Sequence, residues 1–176
     1  MIRDDATDRV AEQREVLGAS QVNAEKLSTA LIGSAGVHFV VCELSLRGLI
    51  ALPTTRNTAG VDVVVVSQDG SWHALLQVKT SKSKVSFWPV GTHYREWVGD
   101  NHYYAFIRYL RNEARFEAFL ESASRVAEKV DTQVREDQRR GLKPWAPCWF
   151  LPKEEAERDR VHRRWLDFGS NRGGER

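Results

Sequence analysis

Asp62, Gln77 and Lys79 have the side-chain types and the spacing that breaking a phosphodiester requires. Gln77 and Lys79 stand two residues apart at the end of Trp72-His73-Ala74-Leu75-Leu76-Gln77-Val78-Lys79, which reads as a strand. Residues i and i+2 of a strand share a face, so this pair projects together while Trp72, Ala74, Leu76 and Val78 pack on the other side. Asp62 lies at the start of a preceding β-branched run, Val61 to Val66, and Asp69-Gly70 signals a tight primed turn joining the two strands into a hairpin. That order brings a carboxylate, an amide oxygen and an ammonium to one end of a sheet. Asp62 and Gln77 offer oxygen ligands to Mg²⁺ (or Mn²⁺), and Lys79 could orient a metal-bound water or stabilise a developing anion. Taken singly, a strand-end Asp and Lys are also what a solvated edge presents.

The flanking residues extend the first reading. Lys79-Thr80-Ser81-Lys82-Ser83-Lys84 carries three ammonium groups and three hydroxyls. Thr80, Lys82 and Lys84, with Arg56 from the polar loop ahead of the first strand of the hairpin, are expected to contact DNA backbone phosphates rather than base edges. Phe87, Trp88, His93, Tyr94 and Trp97 follow; stacking on an unpaired base is one use for them, and packing over the sheet is the favoured one. His38 neighbours Val37 on the core helix and His73 shares the face of Gln77 and Lys79, so either could assist proton transfer, but neither has a recognisable partner and structural roles are expected for both. Glu43, a reserve catalytic acid, stands four residues before Arg47, the spacing of a surface ion pair.

These residues need a scaffold, and 176 residues with 41% hydrophobic and 28% charged side chains suffice for one domain. Residues 1–32 read as a polar helical arm, and a homodimer joined through it is a further reading. A core helix is marked by Val37, Val40, Val41 and Leu44 at i, i+3, i+4 and i+7, with Gly33-Ser34-Ala35-Gly36 before it and Gly48 as its stop. Leu49 to Leu52 is a short apolar segment. Strands are expected over 103–110 and 115–120, helices over 122–138 and 153–166, and a short edge segment over 145–151. The domain is expected to span 33–168, with a disordered tail over 169–176. No apolar stretch reads as the roughly 18 residues that span a bilayer, and no secretion signal opens the chain, so a cytoplasmic protein without a membrane partner is expected. The two cysteines, Cys42 and Cys148, form neither a disulfide framework nor a metal-ligand spacing. A net charge of +2 does not by itself imply a polyanion partner.

The order of helix, Gly48, strand with Asp62, hairpin and then Gln77-Val78-Lys79 resembles the PD-(D/E)XK nuclease-like superfamily, which includes Holliday-junction resolvases and restriction-type endonucleases. The resemblance spans about residues 33 to 84 and implies an α/β fold, a restriction-endonuclease-like mixed β-sheet core flanked by helices. It implies divalent-metal-dependent hydrolysis of DNA, with Asp62 as the metal-binding aspartate, Gln77 in place of the acid of the last motif and Lys79 as that motif's lysine. The sequence departs from the pattern at Gln77 and at Val37, which stands where resolvase-like members usually carry a first-helix glutamate. Glu43 lies about 120° around the helix from Val37 and so does not directly replace that acid. The resemblance therefore carries a second implication, a DNA-binding or protein-interaction domain derived from the nuclease fold that no longer cuts.

Overall fold

The computed structural model describes residues 28–55, 60–82, 85–142 and 146–169. Most of the expected N-terminal arm, along with Arg56, Lys84 and residues 170–176, lies outside the described residues.

Helix α1 (Thr29–Leu46) begins well before the apolar stripe predicts, because Ser28 caps it: the serine hydroxyl accepts the N–H of Leu31 at 3.2 Å. The helix therefore runs straight through Gly33-Ser34-Ala35-Gly36. Gly36 is a contact point instead of a breaker, since a Cβ there would stand 1.9 Å from Thr80 Oγ1. Gly48, at φ +80, ends the helix as its position predicts. At 18 residues α1 is long and apolar enough to cross a membrane by length and composition, which corrects the expectation that no segment is. Its Val40 and Leu44 are fully buried against the sheet.

Three strands then form an antiparallel meander, β1 (Ile50–Pro53), β2 (Val63–Val66) and β3 (His73–Ser81). The β2–β3 hairpin forms, but its turn is wider than a two-residue primed turn. Ser67 N–H donates to Trp72 O at 2.9 Å, Gly70 N–H donates to Ser67 O at 2.9 Å, and only Gly70 within the loop has positive φ. The Asp69 carboxylate prefers to accept from Ser67 Oγ at 2.7 Å and Ser71 N–H at 3.1 Å, which holds Asp69 out of the left-handed region a primed turn would need.

The connection after β3 carries a short strand, β4 (Phe87–Pro89), and returns as β5 (His102–Leu110), parallel to β3. β6 (Arg115–Ser122) pairs antiparallel with β5, giving a five-stranded mixed sheet in the order β1-β2-β3-β5-β6. Ser122 caps α2 (Ala123–Arg139). The apolar run near 145–151 yields β7 (Cys148–Phe150), which pairs with β4 in a separate two-stranded sheet and not at the edge of the main one. That edge is taken by α3 (Glu155–Leu166), which packs along β6.

Two cores follow from strand alternation. On one face, Val40 and Leu44 of α1 and Trp165 of α3 meet Val63, Leu76, Ile107 and Leu120. On the other, Val126 and Val130 of α2 and the Trp88–Trp149 pair of the small sheet cover Tyr104, Phe106 and Phe119. The chain is thus an α/β protein with a mixed sheet flanked by helices. The second core covers β5 and β6 and stops short of β2, which leaves a cleft over β3.

Candidate functional site

β3 is the middle strand of the five, and alternation along it decides what each polar residue can do. Ala74, Leu76 and Val78 turn toward α1, whereas Gln77 and Lys79 turn to the opposite face, beside Tyr104 and Phe106 in the parallel register. There they line a cleft of about 620 Å³, walled by Tyr104, Trp97, His93 and Glu96.

Asp62 sits one residue ahead of β2, where that strand begins to part from β3. Its own N–H still donates to Leu76 O at 2.9 Å, and its carbonyl accepts Thr54 N–H at 3.0 Å. Beyond that point the ladder is completed by the side chain: Asp62 Oδ2 accepts the N–H of Val78 at 2.7 Å. The carboxylate therefore satisfies a half-buried backbone donor on the same strand segment that bears Gln77 and Lys79. Among the described residues its other oxygen takes no hydrogen bond from the protein.

Burial raises the Asp62 carboxyl above its usual range, opposed by the Val78 hydrogen bond and by the nearby Lys79 ammonium. Burial also lowers Lys79, opposed by Asp62. The two groups are thus coupled electrostatically, although no ion pair within 4 Å joins them among the described residues. Because the folded-state pKa of Asp62 lies above its unfolded value, ionising it at neutral pH costs stability that is regained as pH falls through the raised folded-state pKa, the recovery being complete below the unfolded value. Asp62→Asn keeps an acceptor for Val78 and removes that cost. The variant is expected to be more stable than the parent in urea at pH 7 and to lose the advantage near pH 3. A loss of stability at pH 7 would show that Lys79 compensates the buried charge in full.

The remaining expected site residues separate. Thr80, expected at the phosphates, turns its hydroxyl toward Gly36 of α1, where Oγ1 is buried without a hydrogen-bond partner among the described residues. This corrects its assignment, and the cause is the same alternation that brings Gln77 and Lys79 together. Lys82 is exposed just past β3. Glu43 pairs with Arg47 at 3.0 Å, and Arg47 is in turn bound to the Trp165 carbonyl and lies 4.8 Å from the Trp165 ring centre, so Glu43 serves the α1–α3 contact. Val37 packs against the sheet core, His38 is exposed on α1, and His73 is exposed at the start of β3. Among the described residues no three His, Cys, Asp or Glu side chains converge as a metal-ligand group.

Of the aromatic residues, Trp88 and Tyr94 are buried, and Trp97 stacks on His102 with ring centres 4.4 Å apart and also packs close to Gly60. These three pack, as the sequence favours, whereas Phe87 and His93 are exposed. Two groups at the cleft were not singled out as chemistry. His93 Nδ1 lies 3.0 Å from Glu96 Oε1 at the cleft mouth, and the glutamate raises the imidazole pKa by hydrogen bonding and by charge. His-x-x-Glu is a recognisable i, i+3 spacing, so a signal for this pair was present. Tyr104 has a buried hydroxyl with no hydrogen-bond partner among the described residues, and burial pushes its pKa up to about 12. Only the parallel register, which sets it beside Gln77, could have identified it.

Compared with known proteins, the chain matches no family model, no curated protein and no solved structure.

Proposed function

We propose that this chain is a nucleic-acid-binding domain of the PD-(D/E)XK nuclease-like type, gripping a DNA backbone phosphate at Lys79. The supporting order is α1, the β1-β2-β3 meander and the parallel β5, with Asp62 where β2 parts from β3 and Gln77-Val78-Lys79 on the central strand. That order is the support for reading the core as restriction-endonuclease-like. The observation that carries the proposal is the cleft over β3: a half-buried ammonium with an amide beside it, in a recess able to receive a phosphate group. Lys79 supplies charge, Gln77 can donate its amide N–H to a phosphate or sugar oxygen, and Asp62 biases the position of the ammonium.

The donor set does not fit a tightly held Mg²⁺ or Mn²⁺. One Asp62 oxygen is committed to Val78 N–H, burial disfavours ionisation of that carboxyl, Gln77 is neutral, and Val37 packs where the resemblance would have a glutamate. Binding without cutting is therefore favoured over hydrolysis, and the coupling of Asp62 to Lys79 is the observation that keeps hydrolysis as the second reading.

The test is a titration of labelled single-stranded, duplex and branched DNA in chelator, over a range of salt, with cleavage followed separately in Mg²⁺ and Mn²⁺. Binding is expected to survive chelation and to weaken steeply with salt. Lys79→Gln should weaken it about tenfold for every sequence tried and reduce the salt slope by about 1. Absence of binding at low salt, or a variant indistinguishable from the parent, would sink the proposal. Cleavage by the parent that disappears in both Asp62→Ala and Lys79→Ala would replace it with the hydrolytic reading.

A further inference from the structure

A second cleft, of about 570 Å³, opens where the last turns of α3 meet the start of α2, beside Tyr103 at the start of β5. Four guanidinium groups converge on it, Arg125 from α2 and Arg160, Arg163 and Arg164 from α3. Its floor is aromatic: Tyr103 and Trp72 each meet the Phe168 ring edge-on, with centres 5.2 and 5.4 Å from it.

Glu121, 1% exposed, lies at the base and neutralises only part of this charge. Its Oε1 is ion-paired to Arg164 and lies 3.9 Å from Arg125 Nε, while Lys129, 4.0 Å from Oε2, is itself bound to Glu157 at 2.8 Å. Asp167 is the other acid in the wall. Arg160 and Arg163 are exposed and have no ion pair within 4 Å among the described residues, although Glu157 feels the charge of Arg160. The last turn of a helix favours cations, which accounts for Arg163 and Arg164 on α3 alone. Arg125 comes from the first turn of another helix, where cations are disfavoured, and is held there by Glu121, four residues before it. Like charges gathered in a recess repel unless an anion joins them, and a planar guanidinium suits phosphate oxygens through paired N–H donors.

We propose that this cleft is a nucleotide site, holding a phosphate between Arg160 and Arg163 and an aromatic base against Tyr103. Its volume suits a mononucleotide. Arg164 and Glu121 form the fixed base of the site, and the two exposed arginines are the groups that close on the ligand. The nucleotide can be free or the 5′-terminal residue of a nucleic-acid strand; the phosphate-plus-base chemistry is the same. The site is independent of the Lys79 cleft.

Calorimetric titration of the full chain in phosphate-free buffer, with four probes, tests it: adenosine 5′-monophosphate, adenosine, and one short single-stranded oligonucleotide with and without a 5′-phosphate. Saturable binding of the monophosphate is expected, with adenosine at least tenfold weaker. Arg160→Gln with Arg163→Gln, both at exposed positions, should weaken binding of the monophosphate about tenfold per arginine. If the double variant weakens the phosphorylated oligonucleotide but the monophosphate does not bind, the ligand is a strand terminus; if both bind, a free nucleotide suffices. No binding of any phosphate-bearing probe at millimolar concentration, or equal binding by the double variant, would overturn the site.

Discussion

Trp149→Ala is expected to destabilise the protein by about 3–5 kcal/mol, the largest loss anticipated for any single change considered. Trp149 is fully buried, its ring lies parallel to Phe106 with centres 4.0 Å apart, and Trp88 meets it from the other strand of the small sheet at 5.6 Å. The indole is therefore the joint between the two-stranded sheet and the main one, and truncation leaves a cavity bounded by two sheets that cannot easily collapse. Urea unfolding at neutral pH measures the loss directly, and the dependence on urea should be unchanged if folding stays two-state. Trp149→Phe retains a stacked ring and deletes an N–H that has no hydrogen-bond partner among the described residues, so it should cost less than about half as much. Because Val90 and the following turn line the Lys79 cleft and lie next to β4, Trp149→Ala should also weaken the proposed DNA binding near its unfolding midpoint. A loss under about 1 kcal/mol would mean that the small sheet does not unfold together with the main one.

The same Gly-to-Ala change is expected to have opposite signs one helical turn apart in α1. At Gly33 a Cβ would meet nothing within 4 Å, and alanine should stabilise by about 0.4–1 kcal/mol through helix propensity and a less flexible unfolded chain. At Gly36 the new Cβ would lie 1.9 Å from Thr80 Oγ1 and 2.9 Å from Thr80 Cβ, so helix and strand must move apart, at a cost of about 1–3 kcal/mol. Adding Thr80→Ala should return part of that cost, since it removes the closest clashing atom, which is also an unsatisfied hydroxyl. Chemical denaturation of the two single variants and the double variant gives the coupling. Stabilisation by Gly36→Ala would contradict the close approach of α1 to β3.

The predictions differ in size because the sequence announces some contacts and hides others. The β-branched run at Val63–Val66 and the alternation of Trp72 to Lys79 declare a hairpin locally, and so the relation of Asp62, Gln77 and Lys79 was legible. So was the direction of Thr80: it lies two residues from Val78 and one from Lys79, and counting faces would have turned it inward. The glycines at 33 and 36 were misread because glycine serves equally to break a helix and to let one approach a strand, and only the tertiary partner distinguishes the two uses. β4 and β7 are three residues each, too short for a period to emerge, and they are defined by pairing across a long stretch of chain. The arginine cleft was invisible for a related reason: Arg125 and Arg163 belong to different helices, and each in isolation reads as a solvated face.

The strand order has a consequence for how the molecule comes to exist. β1-β2-β3 and β5-β6 are each assembled from neighbouring segments, so each can form with little loop-closure cost, whereas the β3–β5 seam must join residues far apart in the sequence. Gln77 faces Tyr104, and Lys79 faces Phe106, across that seam. The cleft is thus absent from either half alone and is completed only when the β3–β5 pairing closes, so a chain in which that seam has not formed lacks the proposed Lys79 site.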